Sequence, residues 1–182
     1  MANLTLKNIA KVHPSKQTVA PGAIDEIYWC PIADFTSITD LDSVVTDIDL
    51  LGKITSAHTF TGTKGFVKIL DVKENTAMYS AEGQQGGAGN FKVSAKAKTN
   101  GFNTKMVGLL NQALHQPSIA IVKLMNGTWM QIGSEKFPAY MKSDFDSKTN
   151  QSTEQVGFDI EISAVQPYQL IYDNTLALTI IT

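Results

Sequence analysis

The chain has 182 residues, 43 % of them hydrophobic, with 15 basic and 17 acidic side chains and a formal net charge of -2. That length suits one domain with a sizeable core, and the near balance of charge supplies no bulk field for nucleic acid or an anionic membrane. Every basic residue is a lysine, so the planar, two-pronged grip of arginine on phosphate is missing.

Residues 1–23 read as a short alternating stretch, Leu4 to Val12, followed by a loop punctuated by Pro14, Pro21 and Gly22. The segment lacks the apolar core of a secretory signal, and no run reaches the length of a membrane span; the expectation is a soluble product of the cytoplasm. Residues 23–32, "AIDEIYWCPI", predict a strand ended by Pro31. Residues 34–52 carry Asp40, Asp42, Asp47 and Asp49 and read as a short helix or an acidic loop. From Lys53 strand signals dominate, at 54–62 and again at 66–74. Residues 75–99 predict two strands around a glycine-rich joint, Gly83 to Gly89. In the second of them Phe91, Val93, Ala95 and Ala97 alternate with Lys92, Ser94, Lys96 and Lys98, a half-buried strand with a lysine-rich wet face.

The pattern then changes period. Met106, Leu109, Leu110, Ala113 and Leu114 form one stripe of an α-helix over about 103–115, capped by Asn103 or Thr104 and stopped by Pro117. Residues 121–125 and 128–132 predict a hairpin through Asn126-Gly127, whose access to positive φ suits a two-residue type I′ turn. Residues 139–152 have a polar turn at their middle. In 153–165 Val156, Phe158, Ile160 and Ile162 alternate with Gly157, Asp159 and Glu161. Residues 168–182 predict a last hairpin around Asp173-Asn174, closed by an apolar strand. The sum is a mainly β chain in a single domain: an antiparallel β-sandwich or barrel with one flanking helix.

Catalytic chemistry finds little support in this pattern. "EGQQGGAGN" lacks the Gly-Lys-Ser/Thr ending of a phosphate loop and runs into a strand, so Gly83, Gln84, Gln85, Gly86 and Gly87 read as a hairpin loop that reaches a neighbouring subunit. Residues 144–154 resemble a calcium loop in composition, but Thr149 and Gln155 occupy the positions of its turn glycine and bidentate glutamate. His13, His58 and His115 lie far apart without metal spacing, and His115 suits the negative end of the helix. Cys30, the single cysteine, forms no intrachain disulfide and reads as a buried thiol in an apolar strand. The acids of 40–49 read as a wet face. No enzyme, metal or cofactor is expected.

From about residue 66 the chain runs strand, glycine-rich loop, strand, "MVGLLNQAL", "SIAIVKLMNGTWMQIG" and "FDIEISAV". This order resembles the bacteriophage tail-tube (major tail) proteins, of the kind found in phages of Bacteroidetes hosts. The resemblance implies a sandwich with a flanking helix, assembled as hexameric rings that stack into a tube through which DNA passes without sequence-specific contact. It further implies a virion protein of the tail, made in the host cytoplasm, whose partners are its own copies and other tail proteins. Residues 24–52 depart from a minimal tube protein and read as an insertion, placed at 34–52, or an arm. Asp159 and Glu161 are then expected to line the lumen, with the lysines of 91–98 on the outside. The alternatives are another virion ring or decoration protein (tail terminator, neck component or capsid cement). A lipocalin-like ligand-binding barrel is a third, with Trp29, Phe60, Phe66, Tyr79 and Trp129 around its cavity.

Overall fold

The runs Ile27-Tyr28-Trp29-Cys30 and Ile119-Ala120-Ile121-Val122 offer water no side of a strand, so each needs cover on both faces. The computed structural model, which describes residues 24–41, 47–69, 77–83, 89–98, 104–146 and 157–181, supplies that cover. The N-terminal arm, 1–23, lies outside the described residues. The strands are Ile24–Pro31 (β1), Phe35–Ser37 (β2), Lys53–Ile54 (β3), Thr59–Phe60 (β4), Val67–Ile69 (β5), Met78–Gly83 (β6) and Phe91–Lys98 (β7). After the helix Thr104–Ala113 (α1) come Ser118–Leu124 (β8), Trp129–Ile132 (β9), Tyr140–Asp146 (β10), Gly157–Gln166 (β11) and Leu170–Tyr172 (β12).

One sheet has the order β3-β12-β9-β8-β1-β5, a second β10-β11-β7-β6, and β2 pairs with β4 alone. The expected mainly β chain with one helix is what forms among the described residues. Not every pairing is antiparallel: β12 and β3 run parallel, Ile171 opposite Lys53 and Tyr172 opposite Ile54. Neither sheet closes on itself, since each ends on a different strand at its two sides.

Alternation then divides the apolar residues between two cores. Ile27, Trp29, Ala120, Val122, Met130 and Ile132 leave one face of the six-stranded sheet. They meet Val93, Ala95, Ala97, Phe158, Ile160 and Ile162 from the four-stranded sheet, and Met106, Leu110 and Ala113 from α1. Tyr28, Cys30, Ile119, Ile121, Leu170 and Tyr172 leave the opposite face and pack with Phe35, Ile38, Phe60, Phe66, Leu176 and Leu178. Each fully buried side chain of this size contributes roughly 1.5–3 kcal/mol, and the β2–β4 layer covers this core with the partly buried rings of Phe35 and Phe60. Of the expected insertion, residues 34–41 and 47–52 are described, and Phe35, Ile38 and Leu41 of the first stretch pack on this second core.

Local chemistry also departs from expectation at three points. The β8–β9 loop has three residues: Leu124 N donates to Thr128 O at 2.8 Å, Gly127 N to Leu124 O at 2.8 Å, and only Gly127 has positive φ, +83°. Asn126 instead spends its Oδ1 on the Thr128 N–H at 2.9 Å, so a turn followed by a left-handed glycine replaces the two-residue type I′ form. Helix α1 stops at Ala113 because His115 takes φ +64°, and Gln116 N returns to Ala113 O at 3.1 Å. The C-terminal hairpin does not form. After a turn at Asp173 the chain crosses to the other side of the sheet, where Phe66 N donates to Thr179 O at 2.8 Å and Ile181 N to Phe66 O at 3.0 Å.

Candidate functional site

One organised surface is the outer face of the four-stranded sheet. Directly opposed residues on antiparallel strands point the same way, so the register defines rows. Asp144, Asp159 and Lys98 form one row, and Lys142, Glu161, Lys96 and Met78 the next. Tyr140, Ser163, Ser94 and Ser80 follow, then Val165, Lys92 and Glu82. Lys92, Lys96, Lys98 and Lys142 face Glu82, Asp144, Asp159 and Glu161 across this surface, so it is formally neutral.

Asp159 and Glu161 therefore share a face with the lysines of β7, contrary to their expected separation onto lumen and outside. Two-residue alternation specifies the faces of a single strand, but only register shows which faces coincide. Lys98 Nζ lies 3.6 Å from Asp159 Oδ1, Lys96 Nζ 3.5 Å from Glu161 Oε1, and Lys142 Nζ 3.4 Å from Asp144 Oδ2. Such solvated pairs contribute less than about 1 kcal/mol each. They do keep the lysine heads beside carboxylates, around an open depression of about 400 Å³. Of the expected inter-subunit loop, Gly83 ends β6, while Gln84, Gln85, Gly86 and Gly87 lie outside the described residues.

A second organised feature is buried. Thr39 N–H donates to His58 Nδ1 at 3.0 Å, which leaves the ring proton on Nε2 for Gln131 Oε1 at 2.9 Å. Gln131 Nε2 donates to Gly133 O at 2.9 Å, Gly133 N to Gln166 Oε1 at 2.9 Å, and Gln166 Nε2 to Tyr168 O at 2.7 Å. Gln131 and Gln166 are 0 % and 1 % exposed. The chain of bonds links the β2–β4 layer, the six-stranded sheet and the end of β11, and burial holds the His58 imidazole below its ordinary value near 6.5. The sequence carries one signal of this constellation: Gln166 stands where the alternation of Phe158, Ile160, Ile162 and Ala164 calls for an apolar residue, whereas Gln131, between Met130 and Ile132, has the pattern of an ordinary wet position.

The remaining candidates separate. Cys30 is fully buried, its thiol pushed up to about 12 by burial, which makes it a poor nucleophile. Asp40 is exposed, Asp47 accepts from Asp49 N, and Asp42 lies outside the described residues, as do residues 147–154 of the calcium-like loop. Among the described residues no three His, Cys, Asp or Glu side chains converge as metal ligands. Trp29 and Tyr79 belong to the first core, and Phe60, Phe66 and Trp129 to the second, so the expected ring of cavity aromatics is split by a sheet. No helix among the described residues is long and apolar enough to cross a membrane. Comparison with protein families, with curated proteins and with solved structures gives no match.

Proposed function

We propose that this chain is a structural subunit that assembles with its own copies into stacked rings, as the tail tube of a bacteriophage, and that the two facing sheets are its sandwich with α1 on the flank. One observation carries the reading: the four-stranded antiparallel sheet ends on β6 and β10, with no further strand beyond either among the described residues. Four is an even number, so a neighbour's β10 laid beside β6 runs antiparallel to it and keeps the same face outward in every copy. Such head-to-tail addition closes into a ring when the rotation permits, and edge strands supply the main-chain hydrogen bonds for it. The bridge from Leu114 to Met141 covers the start of β10, which leaves Lys142 to Asp146 as the pairing stretch. With Asp159 and Glu161 on the lumen wall, their neutralising lysines come with them. A wall without net charge suits passage of DNA, whose binding rests on released counterions.

Electron microscopy of the purified protein across concentration, with mass by light scattering, tests the reading. Rings or hollow tubes are the expected result. A monomer at every concentration rejects self-assembly and returns the choice to a decoration protein that binds finished capsids.

A further inference from the structure

The buried hydrogen-bond chain runs in one direction, each member accepting on one side and donating on the other. Its vulnerable link is the first. A backbone N–H can only donate, so Thr39 requires a bare Nδ1 on His58. A second ring proton turns that contact into two donors facing each other, and it places a charge among aromatic rings. Phe35 stands 5.6 Å from the imidazole, Tyr172 5.3 Å and Phe66 6.4 Å, centroid to centroid.

We propose that His58 is an acid-operated latch: protonation of Nδ1 expels Thr39, parting the segment after β2 from the segment before β4 and loosening the β2–β4 layer over the aromatic core, while Nε2 still donates to Gln131. The proposal stands independently of the assembly reading. The layer is well joined to itself, through Thr39 Oγ1 to Ala57 O at 3.3 Å, Thr36 Oγ1 with Thr61 Oγ1 at 3.1 Å and Thr61 N to Asp34 O at 3.0 Å. A two-stranded ribbon has little stability alone, so once unlatched its amides open to solvent.

Among the described residues no acid packed on the ring compensates a charge there. Of the side chains packed on it, from β2 (Phe35), beside β5 (Phe66), from β9 (Gln131) and from β12 (Tyr172), only the Tyr172 phenol titrates, and burial pushes it up, away from the acid range. The charged groups on the flanking segments already have partners: Asp34 with Lys64, Asp40 with Lys136 and Asp173 with Lys53.

The test is hydrogen exchange followed by NMR between pH 7.5 and 5 on the full chain. One proton taken up on opening lowers protection about tenfold per pH unit below the ordinary histidine value. That loss is expected at the Thr39 and Thr61 amides of the wild type, while β7 and β11 keep their protection. His58→Gln, neutral at every pH yet able to accept and donate, is expected to show a flat profile. Flat protection in the wild type, equal loss in both sheets, or an unchanged acid dependence in His58→Gln overturns the latch. Should His58→Gln fail to fold, the ring nitrogens of the wild type decide. A proton on Nε2 alone at pH 7.5, with titration accompanied by loss of Thr39 protection, supports the proposal. A proton on Nδ1, or titration with Thr39 still protected, rejects it.

Discussion

Gly133 is closed in by its neighbours on several sides. It takes φ +90°, and a Cβ there would stand 2.7 Å from Ala139 N, 2.8 Å from Ser118 O and 2.9 Å from the Ala139 Cβ. Those atoms belong to the corner where Ser118 and Ala139 exchange hydrogen bonds of 2.9 Å, tying β8 to the approach of β10. Two are backbone atoms and the third is a Cβ fixed to the backbone, so none can swing aside, and Gly133 also spends its own N–H and C=O on Gln166 and Gln131. Gly133→Ala is expected to cost ~3 kcal/mol or more from overpacking and backbone strain together. Urea denaturation reads this directly as a lower midpoint with an unchanged slope. A loss below about 1 kcal/mol shows that the corner yields.

At the scale of elements, α1 has a correctable weakness. Gly108 sits in the middle of a ten-residue helix, exposed, with nothing within 4 Å of where a Cβ would be. Glycine in a helix interior is about 0.5–1 kcal/mol worse than alanine, chiefly through the entropy of the unfolded chain. Gly108→Ala is therefore expected to raise the melting temperature by a few degrees, which calorimetry measures; an unchanged or lower value means that the helix is limited elsewhere. The left-handed His115 at its end is the obvious other place. Among the strands of the four-stranded sheet, β7 and β11 are legible in the sequence because each has one wet and one dry face, whereas β10 lies in a segment whose polar residues read as a turn. The pairing of Glu161 with Lys96 is not legible, because it depends on which strand lies beside which.

For the whole molecule, acid should act in two windows. His58 is held below 6.5 in the fold, so the unfolded chain takes up the proton first and stability is lost as pH falls below that value. Glu26 is lowered from 4.5 to about 2, first by its hydrogen bond to Lys68, then by that from Tyr28, with Lys123 Nζ 3.4 Å away. Its contribution is present above pH 4.5 and is lost as pH falls from there toward 2. Unfolding free energies from urea titrations over pH 7 to 2 are expected to fall in both windows. Glu26→Gln should flatten only the lower one; an unaltered lower slope would assign it to other carboxylates.

The residues alone determined the β-rich character, the helix at 104–113, the β6–β7 and β8–β9 hairpins and the dry strand at Ile24–Pro31. These follow from local periodicity and turn chemistry, which act within a few residues. Tertiary structure decided the rest. It ran β12 parallel to β3, carried the C-terminal segment to Phe66 instead of back along β12, and set Asp159 and Glu161 beside Lys98 and Lys96. It also drew Thr39, His58, Gln131, Gly133 and Gln166, spread over 128 positions of the chain, into one line of hydrogen bonds. The physical reason is common to all of them. A side chain's own neighbours in sequence set its face, whereas its partner is set by the burial of two whole cores.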